Sequence, residues 1–460
     1  MRKPTTSLNS SGRLAVVLVL LVPAAVVPVW PQDVSGDRAA LAAAAGRDLQ
    51  SALRSYEGLV SELDLRDVPP TIRGYASVTG RLDELGEELE NLSRQVLQAE
   101  QLAPDEFAQL QTDIGQLAVD LQALRREAFP LRVWAYLHNH GYRRPGWGLG
   151  LADPLTLSPP VPQAAAGEVG TTLELWAARG EAESGQLLVV SFGNDLPAVA
   201  ASCRPLRGRT GTIPASSVQC QAVEYLADAP DGSPWPEILL PPGPVDVPGD
   251  SLRALWVTVS VPPSQPAGVY EGELAIKPTG MSAIRVSLRV HVWNLPLPLP
   301  RSLACSVPVP PATEGTEATA LLATFGLTPA SGSNSPQQPA ATVAAGQSLV
   351  GARLLGWQAW AAGQSRIRLE MDETAGLLLR VRPTGQLAAS LMLTALRDAL
   401  DDYEYLRLAE RREKDSPALA ELLGEARKLA QGPGDETAAA KLLQLRQRIG
   451  DVLGSPDGTE

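Results

Sequence analysis

The sequence predicts an α+β multidomain chain: an N-terminal three-helix coiled-coil-like bundle, an antiparallel β-sandwich, and a small C-terminal strand pair with helices. Three observations carry that reading. Apolar residues recur at alternating three- and four-residue steps between Asp37 and Ala128. Short alternating runs bounded by Gly, Pro, Asn and Asp replace them beyond Phe129, and helical spacing returns after Leu387. At 460 residues the chain is also longer than a single core supports, so several packed units are expected.

Residues 1–36 have the order of a secretory signal: Arg2, Lys3 and Arg13 precede an apolar run from Leu14 to Val29. Val34-Ser35-Gly36 is the best small-residue cleavage point, while retention as an N-terminal membrane anchor stands beside removal. The run is short for a bilayer crossing, and Pro23 and Pro28 interrupt it. Either way the segment implies export, to the periplasm, the bacterial envelope or the medium. The net charge of −12 leaves no broad basic field, which argues against nucleic acid as a partner.

Residues 37–128 carry the helical stripe. Leu49, Leu53, Tyr56, Val60 and Leu63 form its first run, Pro69-Pro70 interrupts it, and Leu82, Leu85, Leu89, Leu92 and Val96 resume it. Pro104 marks a second break. Asp105 and Glu106 then favour a helix start, and Phe107, Leu110, Ile114, Leu117, Leu121 and Leu124 follow. The short Pro-marked connections favour three helices folding on one another. The same seams would otherwise join separate chains into a homo-oligomer.

Residues 129–303 read as the sandwich, with strands expected at Leu173–Trp176, Gln186–Phe192, Val218–Tyr225, Ala254–Val261, Tyr270–Lys277 and Ala283–Val292. In the last, Ile284, Val286, Leu288, Val290 and Val292 alternate with polar residues, so one face is buried. Residues 304–348 are rich in Ala, Pro, Ser, Thr and Gly and read as a low-complexity linker. Residues 349–454 hold two expected strands, Ile367–Glu370 and Leu377–Val381, and helices over Leu387–Lys414, Pro417–Gln431 and Glu436–Leu453. Residues 455–460 form a polar tail.

Several runs resemble glycoside hydrolase family 123 and its relatives. Trp176-Ala-Ala-Arg-Gly-Glu181, with Gln186 to Val190 after it, is similar to the opening of that family's N-terminal β-sandwich. Leu255-Trp256 through Pro262, then Pro266-Ala-Gly-Val-Tyr270-Glu-Gly272, resembles its Trp strand, Pro-rich turn and Gly-x-Tyr-x-Gly strand. Val292-Trp293-Asn294-Leu295-Pro296 resembles its exit. Gly356-Trp357 to Gly363 looks like the end of the family's barrel. Leu396-Arg397-Asp398-Ala-Leu-Asp401-Asp402-Tyr403-Glu404-Tyr405-Leu406 looks like its closing helical region, with Ala399 where the family has Gly. The resemblance implies a (β/α)₈-barrel hexosaminidase using an adjacent Asp and Glu. Such a barrel needs about 200 residues or more. Only the segment between Pro296 and Trp357 is available here, so the catalytic barrel is expected to be absent and no catalytic residue carries over.

The remaining constellations are weak. Asp372-Glu373 is an adjacent acidic pair, but it follows the Trp357–Gly363 segment, and Thr374-Ala375-Gly376 suggest a hairpin turn in water. His138-Asn139-His140 would share one strand face yet supply only two ligands, too few for a metal. Cys203 and Cys220 are the natural disulfide candidates in an exported chain, with Cys305 left over; three buried thiols are the alternative. Trp134, Tyr136, Tyr142 and Trp147, with Arg143 and Arg144, are read as sealing the joint between bundle and sandwich, with sugar stacking as the alternative. Leu396–Leu406 reads as an amphipathic structural helix, its Asp401, Asp402 and Glu404 lying off the buried face.

No catalytic, cofactor-binding or metal residue is therefore assigned, and no cofactor is expected. The sequence reads as a non-catalytic exported envelope protein, a degenerate glycoside hydrolase-like scaffold for assembly or carbohydrate association, with a glycan or an envelope protein as partner. The alternatives are a residual or split hydrolase acting on N-acetylhexosamine glycans, its barrel supplied by another chain, and a structural coiled-coil oligomer.

Overall fold

The computed structural model describes residues 35–63, 67–142, 145–226, 235–307, 309, 315–330, 340–343, 348–371, 379–381, 387–434 and 436–455. The proposed signal or anchor at 1–36 falls almost wholly outside them; only Ser35 and Gly36 are described, and both already lie in the first helix. No helix among the described residues is long and apolar enough to cross a membrane.

Helices α1 (Ser35–Leu63), α2 (Tyr75–Val96) and α3 (Pro104–Glu127) pack on one another around a shared apolar core. Pro104 opens α3, and Glu106 accepts from the Ala103 backbone N–H at 2.9 Å, so the expected start is well capped. The seam of α1 needs correction. Its buried line runs Ala45, Leu49, Ala52, Leu59, Leu63, with Tyr56 half-buried, whereas Val60 is 45 % exposed. Alanine contributes little apolar area to a pattern search, so Ala52 is masked by its larger neighbour Leu53; at the next turn Leu59 and Val60 are both apolar, and the pattern does not distinguish the buried one from the exposed one.

A fourth helix, α4 (Phe129–Asn139), occupies the segment expected to open the sandwich. Its residues are apolar on nearly every side because it lies between the bundle and the first strand. The phenyl ring of Phe129 fills the space a side chain would need at Gly150 and Gly167, with ring carbons 2.3 and 2.5 Å from where a Cβ would stand. Trp134 and Trp147 are buried at this joint and Tyr136 and Tyr142 half-buried, as a sealing role requires; Arg143 and Arg144 lie outside the described residues.

The sandwich comprises β1 (Trp147–Ala152), β2 (Glu168–Val169), β3 (Thr172–Arg179), β4 (Ala182–Ser191), β5 (Leu196–Cys203), β6 (Leu206–Gly208) and β7 (Thr212–Ile213). It continues with β8 (Val218–Leu226), β9 (Trp235–Leu239), β10 (Val245–Val247), β11 (Leu252–Ser260), β12 (Gly268–Lys277) and β13 (Ile284–Pro296). One sheet has the order β2-β1-β4-β11-β8-β9 and the other β10-β5-β12-β13-β3, with β6 and β7 beside β12. All six expected strands coincide with observed ones. The second sheet is mixed, however, since β3 runs parallel to β13. In β13 the alternation holds: Ile284, Val286, Leu288, Val290 and Val292 are buried, while Arg289 pairs outward with Glu271 at 2.7 Å and Glu174 at 2.6 Å.

The expected linker is corrected. Within 304–348 the chain forms β14 (Ala304–Val307), α5 (Thr316–Thr324), β15 (Thr328–Pro329) and β16 (Ala340–Val343). These are followed by α6 (Leu349–Ala361) and β17 (Arg366–Met371), and the four strands make a parallel sheet of order β15-β14-β17-β16. Cys305, Val307, Ala318, Leu322 and Leu327 are buried there. Composition misled because a few well-spaced apolar residues suffice for short strands covered by helices.

The strand pair also differs from expectation. β17 joins the parallel sheet, while β18 (Leu379–Val381) pairs antiparallel with β19 (Leu387–Ala389), so among the described residues β17 and β18 are not paired with each other; the turn expected at 372–376 lies outside them. The next helix, α7 (Leu391–Arg412), consequently starts later than Leu387, and α8 (Pro417–Ala430) and α9 (Glu436–Gly454) complete the chain. Gly356 lets α6 cross α7 closely: a Cβ there would stand 2.0 Å from the Ala399 carbonyl oxygen.

Candidate functional site

Among the described residues, a dense cluster of buried ionisable side chains lies where α6, α7 and α9 meet the sandwich. Sequence pattern placed Asp401, Asp402 and Glu404 on a solvated face, and that expectation is overturned. Asp398, Asp401, Asp402 and Glu404 are all buried, because α7 is enclosed by the sandwich, α6, α8 and α9 and has no wet face over Leu391–Leu406.

Asp402 sits at the centre. It receives Arg353 from α6 in a fork, Nε to Oδ2 at 2.8 Å and a terminal nitrogen to Oδ1 at 3.1 Å. Trp357, one turn on from Arg353, donates its indole N–H to Oδ2 at 2.9 Å, and Arg446 from α9 donates Nε to Oδ1 at 2.9 Å. Burial alone would raise the pKa of Asp402, but Arg353 and then Arg446 outweigh it and hold the carboxyl below its ordinary value.

The sandwich contributes through the β3–β4 turn. Gly180 adopts φ 80°, and this turn carries Glu181 into the network. Glu181 accepts from Arg446 at 2.5 Å, from the Tyr405 hydroxyl at 2.6 Å and from the Ala178 N–H at 2.6 Å. Glu183, two residues along, stands 2.8 Å from Arg446 and 3.6 Å from Arg353. Arg446 also donates to the Trp176 carbonyl at 3.0 Å and lies over the rings of Tyr405 and Trp293.

Two further pairs extend the network. Arg397 binds Asp398 at 2.7 Å and reaches Ser184 Oγ at 3.2 Å. Arg301 binds Asp401 at 2.5 Å and the Gly180 carbonyl at 2.9 Å, while Glu404 receives the Ser302 N–H and, at 3.0 Å, its hydroxyl. Six carboxylates, Glu181, Glu183, Asp398, Asp401, Asp402 and Glu404, thus face four guanidiniums, Arg301, Arg353, Arg397 and Arg446. An excess of two negative charges in a dry site favours proton retention. Burial pushes Glu183 up to about 7, the arginines opposing, and burial with the Glu181 charge pushes Asp401 up to about 8.

The other candidate residues are dispersed. Asp372 and Glu373 lie outside the described residues. His138 and His140 end a helix instead of sharing a strand face. His138 stacks on Trp134 and stands 3.9 Å from Asp67, whereas His140 stacks on Tyr136 and bonds its carbonyl at 2.7 Å. Cys203, Cys220 and Cys305 are unbridged. Burial raises all three thiols, Cys203 to about 11 and the other two to about 12, Cys220 with a smaller push from Cys203, so they stay protonated at neutral pH.

Arg353 was the overlooked signal. It is the lone charge in the apolar run Leu349–Ala361, and a charge in a helix buried on all sides requires an acidic partner, which Asp398 and Asp402, one turn apart on α7, supply. The arrangement fixes the C-terminal helices to the sandwich. Its carboxylates are enclosed and engaged by arginines or, for Glu404, by Ser302, so acid–base work on a bound substrate would need an opening at this interface.

No family model matches the chain, and no curated protein matches it. Among solved structures, the chain is similar to a family 123 glycoside hydrolase from Clostridium perfringens that hydrolyses glycolipid glycans. The likeness has a TM-score of 0.51 and 8 % identity, over 67 % of this chain and 98 % of that one. It is one of fold. A PapD-like domain of human CEP192 matches with a TM-score of 0.16 and 11 % identity, over 27 % of this chain and 82 % of that one, a level that carries no argument.

Proposed function

We propose that this chain is a non-catalytic, exported scaffold for carbohydrate association, built on a fold like that of family 123 glycoside hydrolases. The supporting observation is the fate of the acidic signature residues. Asp398, Asp401, Asp402 and Glu404 are consumed in buried contacts to Arg301, Arg353, Arg397, Arg446 and Ser302, and the segment between sandwich and closing helices makes four short parallel strands among the described residues. A glycosidase keeps two carboxyl groups open to the sugar ring, with environments that separate their pKa values. The basic head and apolar run at 1–36 support export.

The test is turnover of aryl N-acetylhexosaminides by the purified chain. The reading predicts no release of the aryl group above background. Release that disappears in Asp372→Asn or Glu373→Gln would establish a residual hydrolase and remove the proposal.

A further inference from the structure

A cleft of about 310 Å³ opens on the sandwich, with no residue in common with the buried charge network. Leu252 and Leu240 give it apolar walls, and Pro160 and Pro248 stand at its rim. Its polar side chains are Glu224 and Tyr225 from β8, Arg253 from β11, and Ser251, whose hydroxyl is turned to the Pro248 carbonyl. The Arg253 guanidinium carbon stands over the Tyr225 ring, 5.1 Å from its centre, and the side chain donates to the Val223 carbonyl at 2.9 Å. The Tyr225 hydroxyl accepts from the Ala254 N–H at 3.1 Å, which leaves its own hydrogen to donate. Burial raises Tyr225 to about 12, so that hydrogen is retained throughout the neutral range.

The rim is held in place before any ligand arrives. Leu252 N–H donates to the Pro160 carbonyl at 3.0 Å, Gly249 N–H to Asp195 at 2.8 Å, and Ser251 Oγ to the Pro248 carbonyl at 2.6 Å. Asp250, between them, takes φ 52°, a left-handed conformation that a four-residue turn fixed at both ends sustains. A preformed concave site with apolar walls and a few convergent polar groups has the general form of a small-molecule site.

The ligand class follows from charge and shape. One carboxylate and one guanidinium cancel, which disfavours a net anion or cation. Donor and acceptor side by side suit adjacent hydroxyls, and proline and leucine faces suit the C–H face of a ring. We propose that this cleft binds a single neutral sugar ring, with Arg253 and Tyr225 donating to its hydroxyls and Glu224 accepting from them. The inference rests on the carbohydrate reading above and names the site for it.

The test titrates the full chain with a panel of neutral methyl hexosides by calorimetry, and separately measures retention on polysaccharide resins. Tyr225→Phe, Glu224→Gln and Arg253→Lys are compared with the parent, with circular dichroism confirming an unchanged fold. The expected result is saturable binding of at least one hexoside, weakened tenfold or more by two of the three near-isosteric variants. Binding that all three variants retain, or polysaccharide retention without hexoside binding, would overturn the cleft and leave the carbohydrate reading standing. Neither hexoside binding nor retention would overturn both.

Discussion

The sandwich has a joint on either side, and both are built around buried arginine. At the bundle joint Arg132, 1 % exposed, binds Glu62 at 2.5 Å and Glu168 at 2.7 Å, with Arg125 sharing both acids. Those acids reach water, with side chains 32 % and 65 % exposed. At the C-terminal joint Arg353 and Arg446 meet Asp402, which is 0 % exposed. The chemistry is the same and the solvent differs. Burial is the largest single influence on Glu168 and pushes it up, but Arg125 and Arg132 together outweigh it, and the group ends below its ordinary value; Glu183 and Asp401, drier and in excess over their arginines, end far above theirs. A buried arginine with wet partners is a tether. One with dry partners commits the whole junction.

The comparison predicts unequal costs. Arg446→Met leaves Glu181, Glu183 and Asp402 short of a partner in the interior, and urea denaturation should show a loss of about 3–5 kcal/mol. Arg132→Met leaves acids that water can solvate, and the same measurement should show roughly 1–2 kcal/mol. Equal losses would erase the distinction.

Gly356→Ala probes the crossing that brings Arg353 to Asp402. Because the new Cβ meets backbone 2.0 Å away, α6 and α7 must separate, and the thermal midpoint should fall by an amount matching about 1–3 kcal/mol. Gly424→Ala is the control, since nothing stands within 4 Å of that position and α8 is otherwise intact. The smallest effect belongs to the exposed ladder. Arg289→Ala removes pairs to Glu174 and Glu271 that are open to water and salt, and should leave the urea midpoint indistinguishable from that of the parent.

Six of the thirteen sandwich strands among the described residues were legible because a strand with one face in the core writes its alternation directly, as in Ile284 to Val292; the other seven are no longer than eight residues, most of them two to six. α4 was less so, since its apolar residues surround the helix and leave no period to detect. The short parallel strands were hidden by composition. The charge network was hidden by a rule: Asp401, Asp402 and Glu404 were assigned to water because charged residues usually go there, and only the position of Arg353 within an apolar run pointed the other way. Which acid meets which arginine depends on the α6–α7 crossing and the Gly180 turn. Both are tertiary facts that no local pattern contains.

The sign of the pH dependence tests the dry joint most directly. Glu183 and Asp401 have folded-state values of about 7 and about 8 against ordinary values of 4.5 and 3.8. Their contribution to stability is complete near pH 4 and is lost as pH rises through 8. Asp402 and Glu168, held low, contribute above their ordinary range and lose that contribution only in acid, outside this window. The decisive measurement is therefore urea denaturation at pH 5 and pH 8 for the parent and Glu183→Gln. The parent should lose more stability across that interval than the variant, by roughly 2 kcal/mol. Parallel losses in the two proteins would mean that Glu183 is ionised in the fold, and that the joint is not the dry, proton-retaining junction described.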